Sequence, residues 1–217
     1  MRQHGVMAVG VVAAGLIGAG GASGAVSGVE WRGVNNSVSP WSGASPGSDP
    51  VAGGLWASRF WQTWDLYVVG GAGDVILGIS DAVISPGPDA VIFNHPSGGD
   101  TRTFALEAIF SAMSFDTYVA LGGTATQNGA PLTVQPGIDL TGAIGGRLFF
   151  SFLAESPTAL GPNGLRVLRV SAANFDFLRY DIGVITPSGI VRYVLPSPGP
   201  SAFACLVAGS LGARRRR

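Results

Sequence analysis

Thr63-Trp64-Asp65-Leu66-Tyr67-Val68-Val69, then Gly70-Gly71-Ala72-Gly73, then Asp74-Val75-Ile76-Leu77-Gly78-Ile79-Ser80: the reading of this stretch decides the fold class. Its first limb sets Trp64, Leu66 and Val68 on one side at a spacing of two, the period of a β-strand. The glycines supply turn conformations that side-chain-bearing residues resist. The second limb resumes an apolar, β-branched pattern. Two strands joined by a hairpin turn are expected. No helical pattern and no Lys follow the glycines, so they do not form a nucleotide-binding loop.

The same pattern recurs downstream. Residues 82–84 and 90–94 read as short strands around Ser85-Pro86-Gly87-Pro88-Asp89. Residues 101–105 read as a strand and 106–113 as a helical turn. Phe115-Asp116-Thr117-Tyr118-Val119-Ala120-Leu121-Gly122 alternates, with Phe115, Thr117, Val119 and Leu121 facing one way. Residues 147–154 are nearly all apolar and are expected as a central strand. Strands at 165–171, 182–186 and 190–195, with a further one at 175–180, complete the set. Upstream, residues 26–54 form a polar lead rich in Gly, Ser and Pro, with one edge strand near 29–34. Nine to eleven strands, spaced at roughly 8–12 residues with turns between, predict an all-β fold. The expected architecture is a β-sandwich or jelly roll over residues 55–195.

All thirteen basic residues are Arg, and the formal net charge is zero. Between residues 26 and 195, however, eight Arg stand against thirteen acidic residues, a net of −5. Such a body offers no basic face to nucleic acid, which is not expected as a partner. The single Cys, Cys205, lies outside this body, so packing rather than disulfides must hold it. The absence of Lys also excludes Lys–Asn isopeptide cross-links.

No residue set in the body predicts catalysis. His95 is its only histidine. It shares one turn with Ser97 and Asp100, whereas a catalytic triad draws its members from separate elements. No Gly-x-Ser-x-Gly elbow occurs. A turn histidine capping backbone groups is expected. Only three Glu exist, Glu30, Glu107 and Glu155, so Glu107 and Asp116 are the pair to weigh for glycosidic cleavage. Nothing in the sequence sets the carboxylate separation that this chemistry needs. Zinc is not expected with one His and no usable Cys. Asp65, Asp74, Asp81, Asp89 and Asp100 fall near strand ends, so a structural calcium ion is the one metal left open. No other cofactor is predicted. All five Trp (31, 41, 56, 61 and 64) lie within residues 31–64. Trp61 and Trp64, with Asp65 and Asp74, are the candidate ligand-binding residues if the aromatic row faces solvent. The opposing reading places Trp61 and Trp64 in the core.

Residues 1–25 read as a secretory signal peptide: Arg2, an uncharged apolar run, then Ser23-Gly24-Ala25 at the cleavage point. Near the other terminus come Pro196-Ser197-Pro198-Gly199-Pro200, an apolar and small-residue run of 13 (201–213), and Arg214-Arg215-Arg216-Arg217. The run falls short of the roughly 20 residues of a spanning helix. The Arg cluster fixes its cytoplasmic end. This order resembles the PEP-CTERM sorting signal of bacterial exopolysaccharide-associated proteins. Pro196 and Pro198 match the motif's prolines, Ser197 replaces its Glu, and Gly199 fits the Val-Pro-x-Pro-Gly variant of planctomycete-type proteins. Trp64-Asp65-Leu66-Tyr67-Val68, Asp74-Val75-Ile76-Leu77, Phe93-Asn94-His95 and the run from Ser114 to Gly122 are similar to ectodomains that carry such tails, which have no assigned activity.

The resemblance implies a signal peptidase and an exosortase-like membrane peptidase as processing partners. It also implies transient inner-membrane anchoring by residues 196–217. The final location is then the cell surface or matrix, among exopolysaccharide or other envelope components. A structural or binding module without enzymatic activity is expected. The alternatives are a carbohydrate-binding, lectin-like domain and a hydrolase with a non-standard site.

Overall fold

The structure, a computed structural model, describes residues 26–37, 43–85, 87, 89–123, 128–134, 140, 147–174 and 179–195. The signal segment 1–25, the tail 196–217, Trp41 and most of the strand expected at 175–180 lie outside the described residues. The chain is all-β, built as two antiparallel sheets. Its strands are β1 (Val26–Val34), β2 (Gln62–Gly70), β3 (Val75–Ser85), β4 (Val91–Ile92), β5 (Tyr118–Val119), β6 (Leu132–Val134), β7 (Leu148–Ala159), β8 (Leu165–Ala173), β9 (Arg179–Thr186) and β10 (Gly189–Leu195). The first sheet runs β1-β2-β8-β4, with β5 also paired to β8; the second runs β10-β9-β3-β7-β6.

The hairpin expected at residues 70–73 does not form. β2 pairs with β1 and β8, β3 with β7 and β9, so the glycine turn carries the chain from one sheet to the other. A side chain decides this geometry. Asp74 Oδ2 accepts the Gly71 N–H at 2.6 Å, and a Cβ on Gly70 would lie 2.7 Å from that oxygen. A second crossing, from β7 to β8, is tied to the first. Leu160 N–H donates to Asp74 O at 2.6 Å, and Gly73 N–H donates to Leu160 O at 3.1 Å.

Between the sheets lies one core. Leu66 and Val68 of β2 and Leu168 and Val170 of β8 face Ile76, Ile79 and Ile84 of β3, Phe150 and Phe152 of β7, and Ile182 and Val184 of β9. A third layer covers the other face of the first sheet. It consists of a 3-10 turn at Pro46–Ser48, helix α1 (Gly53–Ala57), helix α2 (Phe104–Glu107) and a 3-10 turn at Ser111–Phe115. Its apolar part is aromatic: Trp56 stacks on Trp61 at 5.9 Å, and both meet Phe93 edge-on at 4.9 and 5.3 Å.

This layer explains where the strand pattern misleads. The strand buried on both faces is β8, not the apolar run at 147–154. β7 occupies an interior place in its sheet, yet Phe149 and Leu153 remain exposed because nothing among the described residues covers its outer face. The alternating run 115–122 contains only the two strand residues of β5. Phe115 instead ends the 3-10 turn, and every residue from Ser111 to Leu121 is buried. Of residues 101–105, only Thr101 makes a bridge, to Val119, and Phe104 opens α2. The strands expected at 74–80 and 82–84 are one strand, β3. Asp81 adopts φ +46° at a register shift within it, and its N–H donates to Ser151 Oγ.

Candidate functional site

The densest polar chemistry lies under the third layer, on the outward face of the first sheet. β8 turns Leu168, Val170 and Ala172 to the core and Arg169 and Ser171 to this face. Antiparallel pairing then aligns Asp65 of β2, Arg169 of β8 and Tyr118 of β5 in one row. Arg169 grips Asp65 with two bonds, Nε to Oδ1 and Nη2 to Oδ2, each 2.7 Å. Its Nη1 donates to Ser114 O in the layer above. A register shift between Leu66 and Tyr67 brings Arg166 to the same side, with Nη1 3.6 Å from Asp65 Oδ2 and Nη2 donating to Gly122 O. Both guanidinium groups lie over the Tyr118 ring, at 5.6 and 5.8 Å. Burial, above all, raises the Tyr118 hydroxyl above its usual pKa, against the pull of Arg169 and Arg166. Tyr118 Oη and Arg166 Nε are buried without a hydrogen-bond partner among the described residues.

Next along the sheet, Thr63 Oγ1 and Ser171 Oγ are 2.6 Å apart, and Ser171 N–H donates to Thr117 Oγ1. A second set of groups fastens the layer to itself. Asp49 accepts N–H bonds from Val51, Ala52 and Ala112, joining α1 to the Ser111–Phe115 turn. Burial opposes its charge, but these donors hold its carboxyl below the usual range. His95 Nε2 lies 3.4 Å from Asp49 Oδ1, while His95 Nδ1 accepts the Ser97 N–H at 3.0 Å. These contacts place the ring proton on Nε2. Asp116 Oδ1 accepts the N–H groups of His95 and Thr117 at 2.7 and 2.9 Å. Burial pushes this carboxyl up to about 7, despite those two donors and helped by the charges of Asp100 and Glu107. Gly98 is required alongside, since a Cβ there would sit 1.9 Å from Asp116 Oδ2. Arg102 clamps Glu107 through Nε at 2.7 Å and Nη2 at 3.1 Å, both side chains buried.

The sequence candidates distribute as follows. Trp61 is buried in the aromatic cluster, and Trp64 is half-buried beside Gly33. Asp65 is the buried partner of Arg169, and Asp74 builds the crossing turn. These four form no exposed row. His95 caps the Ser97 backbone as expected, and its side-chain contact is Asp49 rather than Asp100. Asp100 accepts the Leu140 N–H. Glu107 and Asp116 are near enough to influence each other, yet Glu107 is held by Arg102. Among the described residues no group of three or more His, Cys, Asp or Glu is placed to hold a metal ion. The sorting motif Pro196, Ser197, Pro198, Gly199 and the basic stop Arg214, Arg215, Arg216, Arg217 lie outside the described residues.

Asp49, Arg102, Arg166 and Arg169 are the residues that sequence reasoning did not single out. One signal was available. Leu165-Arg166-Val167-Leu168-Arg169-Val170 sets two charges inside an apolar strand, off the two-residue period, and Asp65 interrupts another. Charges in buried strands require partners.

One cleft, about 300 Å³, opens between residues 101–102, 119–121 and 128–132. That is the lower end of the range for small-molecule sites. Of its polar side chains, Arg102 is engaged with Glu107, and Asn128 Oδ1 accepts the Phe104 N–H at 2.5 Å. Apart from Tyr118 Oη and Arg166 Nε, the polar groups described on this face bind one another or the backbone and fasten the third layer to the sheet. Comparison with family models, curated proteins and solved structures gives no match.

Proposed function

We propose that the protein is an exported β-sandwich module, sorted to the cell envelope through its C-terminal tail, whose body serves there as a structural or binding element. The observation that carries this reading is the order Pro196-Ser197-Pro198-Gly199, apolar run, Arg214-Arg215-Arg216-Arg217, coupled with the signal-like residues 1–25. In this reading the signal is cleaved on export, and the Arg cluster keeps the tail's end in the cytoplasm. An exosortase-like membrane peptidase then cuts near Pro196 and transfers the body to an envelope component, exopolysaccharide among the candidates.

The body's construction suits that fate. Its last described strand, β10, ends at Leu195 on an exposed sheet edge, immediately before the motif. The buried Asp65–Arg169 pair and the Asp49–His95 contact tie distant segments together, and the Glu107–Arg102 pair pins α2 to the residues just before it, a use of polar groups that serves shape. No cofactor is assigned in this reading. Deleting Arg214 to Arg217 tests the sorting step in cells that make the protein. The deletion should leave an unprocessed, membrane-retained form; unchanged mature size and location would sink the proposal.

A further inference from the structure

Two long strands lie at sheet edges, and the fold treats them differently. β1 borders the first sheet, and two carbonyls at its N-terminal end are taken up by the second sheet. Tyr180 Oη donates to Val29 O at 2.6 Å, and Tyr193 Oη donates to Val26 O at 2.7 Å. β10 borders the second sheet and pairs only with β9 among the described residues. Thr186 and Gly189 flank a two-residue turn and form a hydrogen-bonded pair. Counting on by twos, Gly189, Val191, Tyr193 and Leu195 bond inward to β9. Ile190, Arg192 and Val194 therefore turn their N–H and C=O groups outward. Their side chains are exposed too, Ile190 at 62% and Val194 at 57%. Proteins normally blunt such an edge with charge, Pro or a bulge. Here the one charge, Arg192, is bonded through Nε to Asp181 Oδ1 at 2.6 Å.

The edge is also self-complementary. Ile190 and Val194 are β-branched residues two positions either side of Arg192. Antiparallel pairing centred on Arg192 sets Ile190 of one copy beside Val194 of the other, twice over. Each residue that turns its backbone outward then meets one that does the same. In the cross-strand row of Val194, Asp181 comes first, then Val83 and Phe149; in that of Ile190, Ile185 comes first, then Gly78 and Leu153. Each Ile190–Val194 contact at the seam is therefore apolar, flanked by Ile185 on one side and by Asp181 on the other. The two arginines meet at the axis, each neutralised by its own Asp181. Like charges directly opposite destabilise a sheet, so the aspartates are what permit this pairing.

We propose that β10 is a homodimerisation edge, joining two copies through antiparallel pairing centred on Arg192 into one continuous sheet, an isologous contact. The test uses the full-length chain carrying Cys205→Ser. Analytical ultracentrifugation should show a dimer, and Val194→Lys should weaken it by at least about tenfold by placing a charge in the seam. Asp181→Asn should weaken it too, most at low salt, where the bared arginines repel most. Arg192→Cys should give a symmetric disulfide dimer on mild oxidation, whereas Thr133→Cys on the opposite edge strand β6 should not. A monomeric chain, a dimer indifferent to Val194→Lys, or an Arg192→Cys chain that stays unlinked overturns the proposal.

Discussion

Asp116 is a carboxyl group held where charge is unwelcome, and its consequence is a pH dependence of definite sign. Its pKa is raised from 3.8 to about 7 in the folded chain, chiefly by burial. A raised acid contributes stability that is fully present below pH 3.8 and is lost as pH climbs through about 7. Asp116→Asn keeps an oxygen for the His95 and Thr117 N–H groups and removes the charge. The variant should match the parent near pH 3.5 and exceed it increasingly toward pH 8, read as the difference between their urea midpoints at each pH. A difference that is flat or of opposite sign would contradict this. Asp65 gives the converse case. It is a buried anion gripped by Arg169, so Asp65→Ala leaves an uncompensated guanidinium and should cost about 3–5 kcal/mol in chemical unfolding. Neither effect follows from residue identity alone. The sequence shows Asp65 and Arg169 as charges in apolar strands, but their pairing across 104 positions depends on strand register. His95 was legible as a turn residue, because its turn is local.

At the level of elements, the long strands β2, β8 and β10 were read to within two residues at each end, β8 although it is buried on both faces. The misreadings fall in the third layer itself, where residues 101–105 and most of 115–122 were expected as strand but belong to α2, the 3-10 turn and its connection. The run 115–122 alternates in sequence although all but its last residue are buried, so its period carried no information about exposure. The glycine turn after β2 was recognised as a turn, but its direction is set by Asp74 and Leu160, residues that local patterns do not connect. Two substitutions probe these joints. Gly78 adopts φ +155°, and a Cβ there would lie 2.3 Å from Phe152 O, so Gly78→Ala forces β3 from β7. A loss of about 1–3 kcal/mol is expected in thermal or chemical unfolding. Tyr180→Phe removes the hydroxyl that caps the β1 edge and should cost about 1 kcal/mol. It should also speed amide exchange at the N-terminal end of β1. An unchanged exchange profile would mean that the tyrosine does not seal that edge.

For the whole molecule, an acidic, thiol-free body of two sheets ends on an exposed edge strand, directly before a segment whose three-part order reads as a sorting signal. Composition and spacing were enough for the all-β class. The third layer was not legible, because its short helices and 3-10 turns are held by scattered long-range bonds such as that of the Ala112 N–H to Asp49, across 63 positions. The proposed role rests on the tail being removed. Intact mass of the mature protein, recovered from cells that process it, measures this directly. The account predicts a chain that begins near Val26 and ends in the vicinity of Pro196–Gly199, without Cys205 or the four terminal arginines and with any mass added by the transfer. A mature protein that still ends at Arg217 would contradict it.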